Sequence, residues 1–234
     1  MWPGPGGELA TDRFKGATFV VRVDTATVRA TDATLIDDLQ FLASREIHPI
    51  VVAPSPRAAH ALVRTINRSS DIAVSLRGAD AGMLPQTSSG IGRVQTRLLR
   101  ALLDQGFIPV VEPTAFAAFA QLDPRVVADD VASAIAGALH AMRAVFFHRS
   151  GGVIDPKTHR VIGELTPAEA LDLAEDAALS SGLRATLRAA ARGVRGGVPA
   201  AHIVDGRLAH AAIIEVLTEQ HLGTQVTGGI VFAA

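Results

Sequence analysis

Arg22 is the next-to-last residue of the largely apolar run ATFVVRV (17–23), and Asp24 follows two residues later, so a permanently charged, planar donor stands near the tip of what reads as a buried strand. A guanidinium there suits a phosphate or carboxylate ligand. It equally suits a structural pairing with Asp24 or a neighbouring carboxylate at the strand end, and the residues alone leave both readings open. A second cationic feature is Arg184, Arg188 and Arg192, spaced by four, with Arg195 a turn further. One helix face then carries a stripe near its carboxyl end, where the helix dipole favours cations. That stripe is either a solvated face or a dock for an anionic ligand or acidic partner. Asp129 and Asp130 are expected in the first turn of a helix from Ala128 to Met142, where a carboxylate meets the positive end of the dipole. With no cysteine in the chain, thiolate catalysis, disulfides and Cys-based metal sites are excluded. His48 and His60 stand twelve apart and His202 and His210 eight apart, which is not a compact ligand spacing, and no metal site is expected.

The elements that must position these residues belong to a chain of 234 residues, 48% of them hydrophobic, enough for one large domain or two closely joined lobes. A net charge of -1 gives no field for nucleic acid, and 4% aromatic content is too low for base-stacking platforms. The start, MWPGPGGELATDRF, has neither a basic nor an apolar leader region, and nothing approaches eighteen uninterrupted apolar residues. No membrane partner and a cytoplasmic location are the expectations. Residues 1–12 read as a flexible head, and 13–234 as one domain with halves at 13–125 and 126–234.

Strand and helix patterns alternate along that domain. Strands are expected at 17–23, 48–54, 72–76, 107–113, 144–148, 200–204 and 223–232. Helices are expected from Asp32, with Leu35, Ile36, Leu39 and Leu42 at helical spacing, and at 58–66, 94–105, 128–142, 167–179, 183–194 and 209–217. Arg77 to Gly92, RGADAGMLPQTSSGIG, reads as a long loop or a small hairpin. Strands alternating with helices of this length predict an α/β fold, a three-layer αβα sandwich around a mostly parallel sheet.

Three segments carry a more specific signal. They are TRLLRALLDQGFIPVV (96–111), VIGELTPAEA (161–170) and GGVPAAHIVDGRLAHAAIIEVLTEQHLGT (196–224). In this order they resemble the amino acid kinase family, in particular N-acetylglutamate kinases and the kinase-like domain of N-acetylglutamate synthases. SSGLRATLRAAARGVRGGVPAAHIVDGR (180–207) is similar to the synthase version as readily as to the kinases. The resemblance implies the amino acid kinase fold and kinship with arginine biosynthesis.

It also locates what has changed. Where the family opens its first strand-to-loop turn with a lysine, an apolar residue and two glycines, this chain has Arg22, Val23, Asp24 and Thr25. The family's second glycine turn is replaced by Pro54, Ser55 and Pro56, and its second lysine by Thr186. Proline has no N–H to offer a phosphate oxygen. The Asn-x-Asn-Ala-Asp entry to a helix survives only as Ala128 and Asp129, and the family's Asp orients the two lysines that are missing here. Near the nucleotide, His148, Arg149 and Ser150 precede Gly151, and only Gly152 and Val153 match. Between Pro56 and Asn67 the chain is shorter by roughly one helix and a lid. Losing one preorganised donor from a phosphoryl-transfer site costs about 3 kcal/mol of transition-state stabilisation; here several are lost together.

The resemblance therefore implies two functions. The preferred one is a catalytically degenerate, acetylglutamate kinase-like binding or regulatory subunit of the arginine pathway, working with a separate acetyltransferase or kinase. The alternative is a divergent ATP-dependent kinase acting on the carboxylate of N-acetylglutamate or a similar small acid. Candidate catalytic residues are Arg22 and Asp129, with Mg-ATP as cofactor only in the kinase alternative. Gly152 and Val153 are the nucleotide-side candidates. For an effector, arginine or an acylated amino acid, the matching positions are His202, Glu219 and Gly223, with His221 where the family has glycine. A homo-oligomer is expected, packed differently from the family's dimer because of the shortened region.

Overall fold

The computed structural model describes residues 11–30, 33–87, 90–113, 124–155, 158–218 and 220–228. Within them, β1 (Thr18–Arg22), β2 (His48–Val52), β3 (Ala73–Arg77), β6 (Ile108–Glu112), β7 (Arg143–Phe147) and β9 (Ala200–Val204) pair in parallel. β10 (Thr224–Thr227) joins β9 antiparallel, and β8 (Glu164–Leu165) caps that edge. The strand order is β3-β6-β2-β1-β7-β9-β10-β8. A separate hairpin, β4 (Gln86–Thr87) with β5 (Gly90–Ile91), fulfils the expectation for 77–92.

Alternation along β1 decides which side chains meet which layer. Val20 points to one core, beneath α4 (Arg97–Asp104), α5 (Pro124–Leu139), α6 (Pro167–Leu173) and α7 (Ser181–Arg195). Phe19 and Val21 point to the other, beneath α2 (Ala33–Ser44), α3 (Pro56–Ile66) and α8 (Ala211–Leu217). Helices thus cover both faces of the sheet, the three-layer α/β arrangement expected. Small residues let α5 and α7 approach closely: a methyl group on Gly193 would sit 3.4 Å from Ser133 Oγ. Gly106, at φ 77, follows α4 in a left-handed conformation that glycine adopts readily.

Several local expectations shift. Helix α5 begins at Pro124 rather than Ala128, because proline is well accommodated in a first turn, so Asp129 and Asp130 lie in the second turn and not the first. A short helix, α1 (Thr25–Ala30), follows β1 directly where no helix was expected. Helix α6 is shorter than predicted, ending at Leu173, and a turn fills the segment before α7. The closing strand is Thr224–Thr227, with 229–232 of its expected span outside the described residues, and Asp32, the expected helix start, also lies outside them.

Candidate active site

In a parallel sheet, the carboxyl ends of the strands form the usual ligand crevice. Here β1, β2, β6, β7 and β9 all end at the same edge. Arg22 shares the face of Val20, so its side chain turns under α5 and α7. Its Nε lies 2.5 Å from Asp129 Oδ1, and Nη1 donates to the Phe147 carbonyl at 2.9 Å. The other oxygen of Asp129 accepts from Thr186 Oγ1 at 2.9 Å. Arg22 is 2% exposed, Asp129 and Thr186 0%. The structural pairing expected of Arg22 is therefore made, with Asp129 as its carboxylate. Asp129 in turn is the centre of a buried three-residue network, not the dipole-facing carboxylate that its predicted first-turn position suggested.

Asp24 serves a different end. Its Oδ1 accepts from the Thr27 amide at 2.7 Å, and its carbonyl from Val28 N at 3.1 Å, capping α1. Ser55 does the same for α3: its Oγ accepts from Ala58 N at 3.2 Å, with Pro56 at the first helical position. Amides that could have faced a phosphate at the ends of β1 and β2 are thus bound by the chain's own oxygens. Helix α1 also closes on the neighbouring strand ends. Thr27 Oγ1 and the Phe147 ring both come within 2.4 Å of where a Gly206 Cβ would be, so glycine alone fits after β9.

The nucleotide-side candidates sit between β7 and β10. Gly152, at φ 137, is wedged against Val161 and Thr224, and the Val153 amide donates to Thr224 Oγ1 at 2.8 Å. Ser150 bonds both His148 Nδ1, at 2.8 Å, and the Gly152 carbonyl, at 2.7 Å. Asp205 holds Arg207 at 2.6 Å, which keeps the Asp205 carboxyl below its ordinary pKa, and Arg207 reaches the Arg149 carbonyl.

The effector candidates are partly brought together. His202 faces α8, where Nδ1 lies 2.8 Å from Glu215 Oε1, and the other Glu215 oxygen accepts from Leu222 N at 2.6 Å. Burial pushes the His202 pKa down, against the pull of Glu215. Gly223 is enclosed: a Cβ there would lie 2.0 Å from the Ile203 carbonyl oxygen. Glu219 lies outside the described residues. Glu215, which sequence reasoning missed, is the carboxylate that meets His202; the signal was present in helical spacing, since a carboxylate within an apolar helix face requires a partner. Two of the four arginines of the stripe are paired: Arg188 bonds the Ala174 carbonyl and Glu175, and Arg192 pairs with Asp130. A half-open groove of about 410 Å³ lies at the opposite, amino-terminal edge of the sheet, lined by Lys15, Glu46, His48, Asp104 and Phe107 among others.

A parallel sheet in this order, sandwiched between helical layers and with its crevice at the ends of β1, β2 and β7, defines the amino acid kinase fold. The chain belongs to the amino acid kinase family, whose model matches residues 59–205. It is 31% identical over 210 residues to an acetylglutamate kinase from Campylobacter curvus, covering 86% of this chain and 70% of that protein. The acetylglutamate kinase of Thermosynechococcus vestitus is 30% identical over 214 residues, covering 86% and 68%. Among solved structures, the N-acetylglutamate synthase of Neisseria gonorrhoeae, complexed with coenzyme A and N-acetyl-glutamate, superposes with TM-score 0.70 at 18% identity. That match covers 93% of this chain and 61% of the synthase, so the chain spans less than two thirds of it. UMP kinase from Ureaplasma parvum shares the fold at TM-score 0.60 and 10% identity, covering 90% and 99%. In the described residues no helix is long and apolar enough to cross a membrane.

Proposed function

We propose that this acetylglutamate kinase-like chain has lost phosphoryl transfer and acts as a ligand-binding or regulatory subunit of arginine biosynthesis. The observation that carries this reading is the Arg22–Asp129–Thr186 network. Phosphoryl transfer needs cations and N–H groups turned toward the equatorial oxygens of the moving group. The guanidinium best placed by sequence is buried and bound to Asp129 and the Phe147 carbonyl instead. The capping of α1 by Asp24 and of α3 by Ser55 supports the same conclusion.

The ligand proposed is arginine or an acylated amino acid, held near His202, Glu219 and Gly223. A gonococcal synthase of this fold has been solved with coenzyme A and L-arginine, which supports that class of ligand. A carboxylate there suits a guanidinium, which it accepts bidentately. The partner proposed is a separate acetyltransferase or kinase subunit, with the chain itself in a homo-oligomer in the cytoplasm.

Isothermal titration of the purified protein with Mg-ATP, N-acetylglutamate and arginine, beside a phosphoryl-transfer assay, tests this directly. Binding of arginine or N-acetylglutamate without turnover is the expected result. Tight Mg-ATP binding with turnover on N-acetylglutamate would replace this reading by that of a divergent kinase, with Gly152 and Val153 on the nucleotide side.

A further inference from the structure

The groove at the amino-terminal edge of the sheet lies on the side away from the strand-end crevice, and two helices of opposite layers end on it. Helix α2 contributes Ala43 and, just past its end, Glu46; helix α4 contributes Leu103 and Asp104. Both helices close with the same turn. The Glu46 amide returns to the Ala43 carbonyl at 3.1 Å and Ile47 to Leu42 at 3.0 Å, just as Gly106 returns to Leu103 at 2.9 Å and Phe107 to Leu102 at 3.0 Å. That turn takes a left-handed residue, ordinarily glycine. Gly106 supplies it at φ 77, whereas the turn after α2 holds Glu46 at φ 56, a conformation that a side chain disfavours. The strained position sets a carboxylate on the groove, 2.8 Å from Lys15 Nζ and with its side chain 65% exposed.

We propose that this groove binds a small organic cation, an ammonium or guanidinium on an apolar stem, at a site separate from both the crevice and the His202 positions. Charge sets the class. The Lys15 ammonium is already matched by Glu46, whereas Asp104, exposed on the facing wall, has no ion pair among the described residues. The last carbonyls of α2 and α4 add the negative ends of two helix dipoles at the same place. An anion there would meet Asp104 and both helix ends unfavourably. A cation meets them favourably, together with the second oxygen of Glu46. The stem has an apolar wall of Ile47, Pro49, Leu103 and Phe107, and the Phe107 ring suits a cation as well as a methylene chain. A volume of about 410 Å³ falls in the ordinary range for small-ligand sites.

Amide NMR of the labelled full-length chain, titrated with agmatine, tests the site whether or not the chain transfers phosphoryl groups. Agmatine carries an ammonium and a guanidinium on a butyl stem, and N-acetylglutamate serves as the anionic control. Saturable shifts at the Gly16, Glu46, Gly106 and Phe107 amides, with none there from N-acetylglutamate, are the expected result. Glu46→Gly suits the left-handed turn and removes only an exposed ion pair, so it should fold with an unchanged or higher thermal midpoint. Its affinity for agmatine should nonetheless fall about tenfold, and that of Asp104→Asn likewise. Three results would each overturn the proposal: no saturable shift at these amides, shifts confined to 201–204 and 222–224, or unchanged affinity in both variants. Tighter binding of N-acetylglutamate than of agmatine at the same amides would reverse the assigned charge and overturn it as well.

Discussion

The strand ends at β1 and β2 and the turns around β7, β9 and β10 belong to one sheet, yet they have diverged differently. In the first region the positions that matched the family's glycines now hold Asp24 and Ser55, each bonded to the first turn of the helix it precedes. In the second, Gly152, Gly206 and Gly223 are all in place, and each is required by packing: a Cβ would meet neighbours at 2.8, 2.4 and 2.0 Å. Under the proposed loss of phosphoryl transfer, a glycine that let a phosphate approach is free to change. A glycine that lets two strands approach is not. Retained glycines in the second region therefore report the fold, and their presence says little about nucleotide binding.

The largest effect expected from this contrast is at the Arg22–Asp129–Thr186 network. Asp129→Ala leaves the Arg22 guanidinium buried without its carboxylate, and should cost about 3–5 kcal/mol of stability in urea unfolding. The double variant Arg22→Met, Asp129→Leu should recover most of that, because an apolar pair of similar size needs no compensation. A loss below about 1 kcal/mol in Asp129→Ala would mean that the network is not structural, and would reopen a catalytic role for Arg22.

Next in size is the pH response of Asp38, buried in α2 beside His210. Burial raises the Asp38 pKa from 3.8 to about 6, with His210 and the Ile213 amide pulling it down and Asp37 adding to the rise. The folded state thus holds this proton more tightly than the unfolded state. Stability from this group is fully present below about pH 4 and is lost as pH rises through 6, by up to about 3 kcal/mol. Asp38→Asn, neutral throughout, lacks that slope. Subtracting its urea stability from that of the unaltered chain, at steps from pH 4.5 to 7.5, should give a difference that becomes less favourable to the unaltered chain as pH rises. A flat difference would show that His210 offsets the burial of the carboxylate completely.

In the second region, Gly223→Ala should cost about 1–3 kcal/mol, because the obstacle is the backbone oxygen of Ile203 and neither strand can yield cheaply. Gly163→Ala, where a Cβ meets nothing within 4 Å, is the control and should be nearly neutral. Equal thermal midpoints for the two variants would break the argument that packing retains the glycines around β10.

How much of this was legible in sequence follows from where each signal resides. Periodicity revealed the three-layer sandwich because buried strands and amphipathic helices must repeat their apolar residues at fixed spacing. The Ala200–Val204 strand came out to the residue, since Pro199 and Asp205 bound the run, in which His202 is the one polar residue. The start of α5 did not: Asp123 before Pro124 is a helix-start signal, but the same pair reads as a turn as readily, and the expectation was placed at Ala128. Arg22 was legible as a cation suited to a ligand or to a structural carboxylate, but not which carboxylate: the packing of α5 on β1 brings it Asp129, over a hundred residues later in the chain. Glu215 escaped for the same reason, its partner His202 being joined to it only by the packing of α8 on β9.

The smallest effect bears most directly on the comparison. Ser55→Ala removes the side-chain cap of α3 and should destabilise by about 1 kcal/mol, read from the urea midpoint at unchanged slope. If the cap were an obstacle laid over a working phosphate site, its removal would free the Ala58 amide and strengthen Mg-ATP binding. The expectation is that it does not. Pro54 and Pro56 still offer no N–H, Asp24 still places a negative charge at the end of β1, and Arg22 still faces Asp129. A single deletion therefore exposes one donor in a site that needs several turned the same way, and titration with Mg-ATP should give the same heat with and without Ser55. A clear gain in affinity in Ser55→Ala would mean that the strand ends at β1 and β2 remain a nucleotide site held shut, and that the difference between the two regions is one of regulation.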